Sequence, residues 1–139
     1  MNSPHWIWAA VAAGLFLAGY VSGSHAASTH RVYELRTYTT YDGKLDALLA
    51  RFRNHTARLL EKHGMKNVGY WVPQDEPQKR NTLIYIVSHE SRQAAQKSWE
   101  AFRNDPEWIK VREASEASGK INQKVESVFL DPTDFSALR

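Results

Sequence analysis

The run Leu83-Ile84-Tyr85-Ile86-Val87 constrains this chain more than any other stretch. It is short, rich in β-branched and aromatic residues, and apolar at every position. Successive side chains of a strand point to opposite faces, so a strand of this composition is apolar on both. Such a strand belongs in the middle of a sheet, with cover on each side. The rest of the chain has to supply two covers.

The segments around it are legible from their periods. Residues 31–40 and 121–130 read as strands, the second closed by Asp131-Pro132. Residues 66–72 form another, stopped by Pro73, and residues 74–81 are a polar loop. Tyr41-Asp42-Gly43 is a turn, with Asp42 placed to cap a helix over 44–63. There Leu45, Leu48, Leu49, Phe52, Thr56, Leu59, Leu60 and His63 recur at three- and four-residue steps, and Gly64 suits a left-handed end. A second helix over 91–103 turns Ala95, Trp99 and Phe102 inward. Asp105-Pro106 restarts the helix, and Trp108, Ile109, Val111 and Ala114 follow before it fades ahead of Gly119. The tail 133–139 is expected on the surface.

The order strand, helix, strand, strand, helix, strand is that of a ferredoxin-like α+β fold, an antiparallel sheet with both helices on one face. Helices then cover only one side of 83–87. The other side is predicted to meet the same face of a second copy, two sheets closing into a dimeric α/β barrel. The alternative is a monomer with one wet sheet face. The first strand places Glu34, Arg36 and Tyr38 on one face and Tyr33, Leu35 and Thr37 on the other. The charged face is expected on the side away from the helices, toward the partner.

The first 26 of the 139 residues contain no Asp, Glu, Lys or Arg. Residues 6–21 are almost wholly apolar but fall short of the roughly 20 residues that span a bilayer. Ser24 and Ala26 precede a plausible cut before Ala27. This predicts a signal peptide over 1–26, an exported protein (periplasmic or secreted) and one domain over 27–139. The segment before residue 6 lacks Lys and Arg, so the alternative is a membrane anchor formed by residues 6–21, with Trp6, Trp8 and Tyr20 near its ends. The absence of Cys excludes disulfides. A net charge of +3, with no run of five like signs, argues for a solvated surface and against a nucleic-acid partner.

Several landmarks, taken in order, resemble the NIPSNAP family. They are Tyr33-Glu34-Leu35-Arg36-Thr37-Tyr38, Gly43-Lys44-Leu45, His63-Gly64, Val68-Gly69-Tyr70-Trp71, the apolar third strand, Asp105-Pro106-Glu107-Trp108, and Pro132 to Leu138. The resemblance covers Tyr33 to Leu138 and implies the dimeric α/β barrel superfamily. Its animal members look like mitochondrial and vesicle-associated proteins, a role not transferable to a single domain with an export-type start. The superfamily also includes cofactor-free monooxygenases, haem-handling proteins and isomerases, but fold alone does not fix chemistry.

The candidate pocket residues are Glu34, Arg36, Tyr38, Trp71, Tyr85, His89 and Trp108. Arg36 suits a carboxylate or carbonyl, Tyr38 a hydrogen bond or proton, and His89 ends the central strand. Against this stands a plain salt bridge between Glu34 and Arg36, or between them and Lys124 and Glu126. The aromatics serve equally as core. With no Cys and no His-Glu-x-x-His, no metal is expected, nor any cofactor. There is no phosphate loop and no nucleophile elbow, so the sequence leans away from an enzyme. It predicts a homodimer that binds a small apolar or carbonyl-bearing ligand or a protein partner. The alternative is an enzyme resembling the cofactor-free monooxygenases or isomerases of the superfamily.

Overall fold

The computed structural model describes residues 31–138. The expected signal or anchor segment lies outside the described residues. Four strands, β1 (Val32–Thr40), β2 (Lys66–Trp71), β3 (Thr82–His89) and β4 (Asn122–Leu130), form one antiparallel sheet in the order β2-β3-β1-β4. This is the ferredoxin-like arrangement, and the two-sided apolar run is central as its composition requires.

The helices lie on one face. The stretch expected as one helix is a continuous rod of three parts: α1 (Leu45–Arg51), a π-helical segment (Phe52–Thr56) and α2 (Ala57–Lys62). In the π segment the amide of Ala57 reaches back to the carbonyl of Phe52, five residues away. The Thr56 hydroxyl donates to the Arg51 carbonyl at 3.2 Å, replacing part of the interrupted ladder. The wider turn puts Phe52 and Thr56 both inward, where they are buried. Apolar spacing alone does not distinguish this from an ordinary α-helix.

Asp42 does not cap α1. Lys44 holds the N-cap position without a side-chain hydrogen bond, because the turn through Gly43 sets the helix start one residue later than expected. The restart at Asp105-Pro106 behaves as read. Ser91 caps α3 (Arg92–Asn104) by accepting from the Ala94 amide at 3.0 Å. Asp105 caps α4 (Pro106–Ser115) by accepting from the Glu107 amide at 2.8 Å, and the same carboxylate takes donors from Lys62 and His63, each at 2.7 Å. One side chain thus ties the end of α2 to the start of α4.

The core between sheet and helices contains Leu48, Phe52, Leu59, Leu60, Met65, Leu83, Tyr85, Val87, Trp99, Phe102 and Ile121. Strand register shows which side each residue faces. Arg36 is opposite Tyr85 and Ser127, and Tyr38 is opposite Leu83 and Val125. Glu34, Arg36 and Tyr38 therefore share the face of Leu83, Tyr85 and Val87, beneath the helices. The expectation that they point away from the helices is wrong. Their polarity suggested a face turned to a partner, yet four hydrogen bonds make Glu34 compatible with the covered side. Tyr33, Leu35, Thr37, Ile84, Ile86, Val128 and Leu130 occupy the opposite face.

Gly64 has φ of +80°, as its place after the helix requires. Gly64→Ala should destabilise the domain by about 1 kcal/mol, read from the urea midpoint. The space beside it is adequate, since a Cβ there would lie 3.6 Å from the Ser98 hydroxyl, so the loss would be conformational.

Candidate functional site

The covered face of β1 carries the most concentrated polar chemistry in the domain. Glu34 is 1% exposed and its carboxylate accepts four hydrogen bonds. Oε1 takes Arg36 Nη1 and Ser127 Oγ, both at 2.6 Å. Oε2 takes the Trp99 indole N–H at 2.6 Å and His89 Nε2 at 2.9 Å. The donors come from β1, β4, α3 and β3, so the carboxylate joins both central strands, an edge strand and a helix.

Burial alone would raise the pKa of Glu34. Hydrogen bonds from His89, Ser127 and Trp99, and the charge of Arg36, outweigh it and lower the pKa to about 2. A carboxylate so held is ionised throughout the physiological range and is a weak base. The His89 ring is fully buried, and facing a carboxylate fixes Nε2 as its protonated nitrogen. Its Nδ1 has no hydrogen-bond partner among the described residues.

Arg36 extends the network along the strand. Its guanidinium stacks over the Trp99 ring at 4.1 Å, and Nη2 donates to the Tyr38 hydroxyl at 3.4 Å. Tyr85 donates to the same hydroxyl at 3.1 Å. Burial, with Tyr38 close by, pushes the Tyr85 phenol well above its usual range. Five of the seven sequence candidates, Glu34, Arg36, Tyr38, Tyr85 and His89, are thus one connected system.

Trp108 lies apart, in the helix layer, 4.6 Å from the Phe102 ring. With Tyr38 and Tyr85 it lines an interior cavity of about 60 Å³. Trp71 does not join the site. It lies on the other face of the sheet, half exposed, its ring so close over Gly69 that a Cβ there would come within 2.6 Å. Between Glu34 and Arg36 the plain salt bridge is realised. Lys124 and Glu126 pair with each other at 2.8 Å on the opposite face instead.

Sequence reasoning missed Ser127 as a Glu34 partner and missed Arg51 and Asn122 at the interior cavity. Trp99 was read as inward-facing without its role as donor to Glu34. Ser127 had a signal in the alternation of 121–130, which puts it on the covered side. Above the site, Arg92, Gln93, Gln96 and Arg103 of α3, with Trp99 and Phe129, border an open groove of about 580 Å³, and Arg92 lies 3.7 Å over the Phe129 ring. Among the described residues no group of three His, Asp or Glu side chains is placed to hold a metal ion.

A family model described as NIPSNAP matches residues 33–137. Among solved structures, the chain is similar to a NIPSNAP family protein of Agrobacterium tumefaciens at 23% identity, with a TM-score of 0.69, over 79% of this chain and all of that one. It is also similar to a monooxygenase of Streptomyces coelicolor solved with nanaomycin D, at 17% identity and a TM-score of 0.55, over 79% and 94% of the two chains. A cofactor-independent oxygenase of Streptomyces nogalater matches at 13% identity and a TM-score of 0.53, over 78% and 98%. At these identities the likeness is one of fold. No curated protein matches the chain.

The low pKa of Glu34 has a sign that can be checked. Its folded value of about 2 lies below the ordinary 4.5, so its contribution, about 3 kcal/mol, is complete above pH 4.5 and is lost as pH falls toward 2. Glu34→Gln should lower stability near neutral pH by a comparable amount and flatten that acid limb. Urea unfolding followed from pH 7 to pH 2.5 measures both.

Proposed function

The chain belongs to the NIPSNAP family, and on that footing we propose that it acts as an exported, homodimeric binding protein rather than as a catalyst. The observation that carries this reading is the contrast between the two faces of the sheet. Under the helices the Glu34 carboxylate is fully engaged by Arg36, His89, Trp99 and Ser127, with Arg36 Nε and His89 Nδ1 left without a partner among the described residues. On the other face the side chains are mainly apolar and incompletely covered: Val128 is 53% exposed, Trp71 50% and Leu130 39%. Leu35, Ile84 and Ile86 between them are only half-buried.

A mostly apolar sheet face of this kind is a surface for another protein face. A second copy fits it well, because a two-fold axis over the sheet sets the same residues against themselves. Lys124 and Glu126, paired and exposed on β4, suit the polar rim of such a contact. The small apolar or carbonyl-bearing ligand would then be taken by the space among the helices. Catalysis has less support, since Glu34 has four donors and a pKa of about 2 and is poorly suited to remove a proton.

Export rests on the sequence before residue 27, which is uncharged and mostly apolar. The mature protein should therefore begin at Ala27. Intact-mass measurement on protein from its own host reads this directly, and the mass of the full chain would show an anchor instead.

Assembly is tested by Ile86→Asp. Wild type should sediment as a dimer at micromolar concentration and the variant as a folded monomer, with the helix signal in circular dichroism kept. A monomeric wild type would end the dimer reading.

A further inference from the structure

Arg51 borders two spaces. Outside it lies a groove of about 630 Å³ between α1 and α4, with Ala47, Ala50, Val111 and Ala114 among its walls. Inside it lies the cavity of about 60 Å³, bordered also by Tyr38, Tyr85, Trp108 and Asn122. The backbone turns π-helical immediately after Arg51, so Phe52 and Thr56 fall on the cavity while Asn54 and His55 fall on the groove. Single π turns are frequent at functional sites.

The polar groups here are incompletely satisfied. The Arg51 side chain is 3% exposed. Its Nη1 donates to Ser115 Oγ and to Glu116 Oε1, both at 3.2 Å, and its Cζ lies 5.3 Å from the Trp108 ring centre. Its Nε–H is buried without a partner among the described residues, and so is Asn122 Oδ1. A buried donor and a buried acceptor left unpaired are each costly, and both belong to residues bordering the same cavity.

We infer that Arg51 and Asn122 receive the head of a neutral amphipathic small molecule, a hydroxyl or a primary amide, whose apolar body lies in the α1–α4 groove. This deepens the ligand-binding part of the proposed function and rests on it. Such a head accepts from Arg51 Nε and donates to Asn122 Oδ1, satisfying both. The charge of Arg51 is already offset by Glu116, so a carboxylate head beside it would meet like charge; at the groove wall Glu107 and Lys110 leave no net sign. One water needs only about 10–15 Å³ of such space, so the cavity has room for –CH₂OH or –CONH₂. The alanine and valine walls outside match an alkyl body.

The test titrates the full chain with 1-octanol, octanamide and octanoate. It follows the Arg51 Nε–H resonance, assigned by its loss in Arg51→Lys, together with heats of binding. Octanol and octanamide should shift that resonance and bind at least tenfold tighter than octanoate. Ala50→Trp and Ala114→Phe, which narrow the groove, and Asn122→Leu, which removes the acceptor, should each weaken octanol at least tenfold. At least one of the three should keep the wild-type unfolding midpoint.

Three results would overturn the inference. An unmoved Arg51 resonance with every probe would mean that the cavity holds water alone. Octanoate binding as tightly as octanol would mean an anion site. Octanol binding unchanged in all the variants would place the ligand elsewhere. Sedimentation of the same samples separates the two readings: a dimer that binds no probe refutes this site and leaves the assembly standing.

Discussion

A charge buried at the heart of this fold organises what surrounds it. Placing Glu34 beneath α3, away from water, costs several kcal/mol unless its carboxylate is fully hydrogen-bonded. Satisfying it requires that β1, β3, β4 and α3 all be in register, because the donors Arg36, His89, Ser127 and Trp99 come one from each. Apolar contacts are non-directional and would tolerate small shifts of a strand or helix. A four-donor carboxylate does not, so it ties the sheet and helix layer to one arrangement.

The same geometry divides the labour between the faces of the sheet. The covered side of β1 carries Glu34 and Arg36 and the open side Tyr33, Leu35 and Thr37, so the charges of this strand lie on its buried side, the reverse of the usual pattern of a half-buried strand. On β3 both sides are apolar, so Leu83, Tyr85 and Val87 join the helices while Ile84 and Ile86 look outward. Self-association through the open side would answer the second requirement of that strand. It would also leave the helix layer free for a ligand.

Much of this was legible in the sequence. Periods of two and of three to four, with Pro73, Gly64 and Asp105-Pro106 as punctuation, are local signals, and they gave the elements and their order. The connection between Glu34 and Arg36 also followed from alternation along one strand. What alternation cannot give is which side of a strand the helices take. Polarity pointed Glu34 outward, because three of the four donors that allow it inside lie 55 to 93 residues away in the chain. Trp71 misled for a related reason: an aromatic on a strand looks like core, but Gly69 lets its ring fold over the edge of the open face. The meeting of Arg51 and Asn122 at one cavity is a product of tertiary packing and has no local signature.

The π segment of the first rod carries a consequence of its own. A π turn is an α-helix holding one residue more than its length needs, with the surplus bulged into a single wide turn. The phase of α1 against α2 is thus set by counting turns, not residues. Removing one residue within 52–56 would let the rod close as a plain α-helix with Leu48 and Leu59 still aimed at the sheet. The fold has slack of one residue there, beside Arg51, and a change of chain length at that place would reshape the groove and cavity while sparing the scaffold.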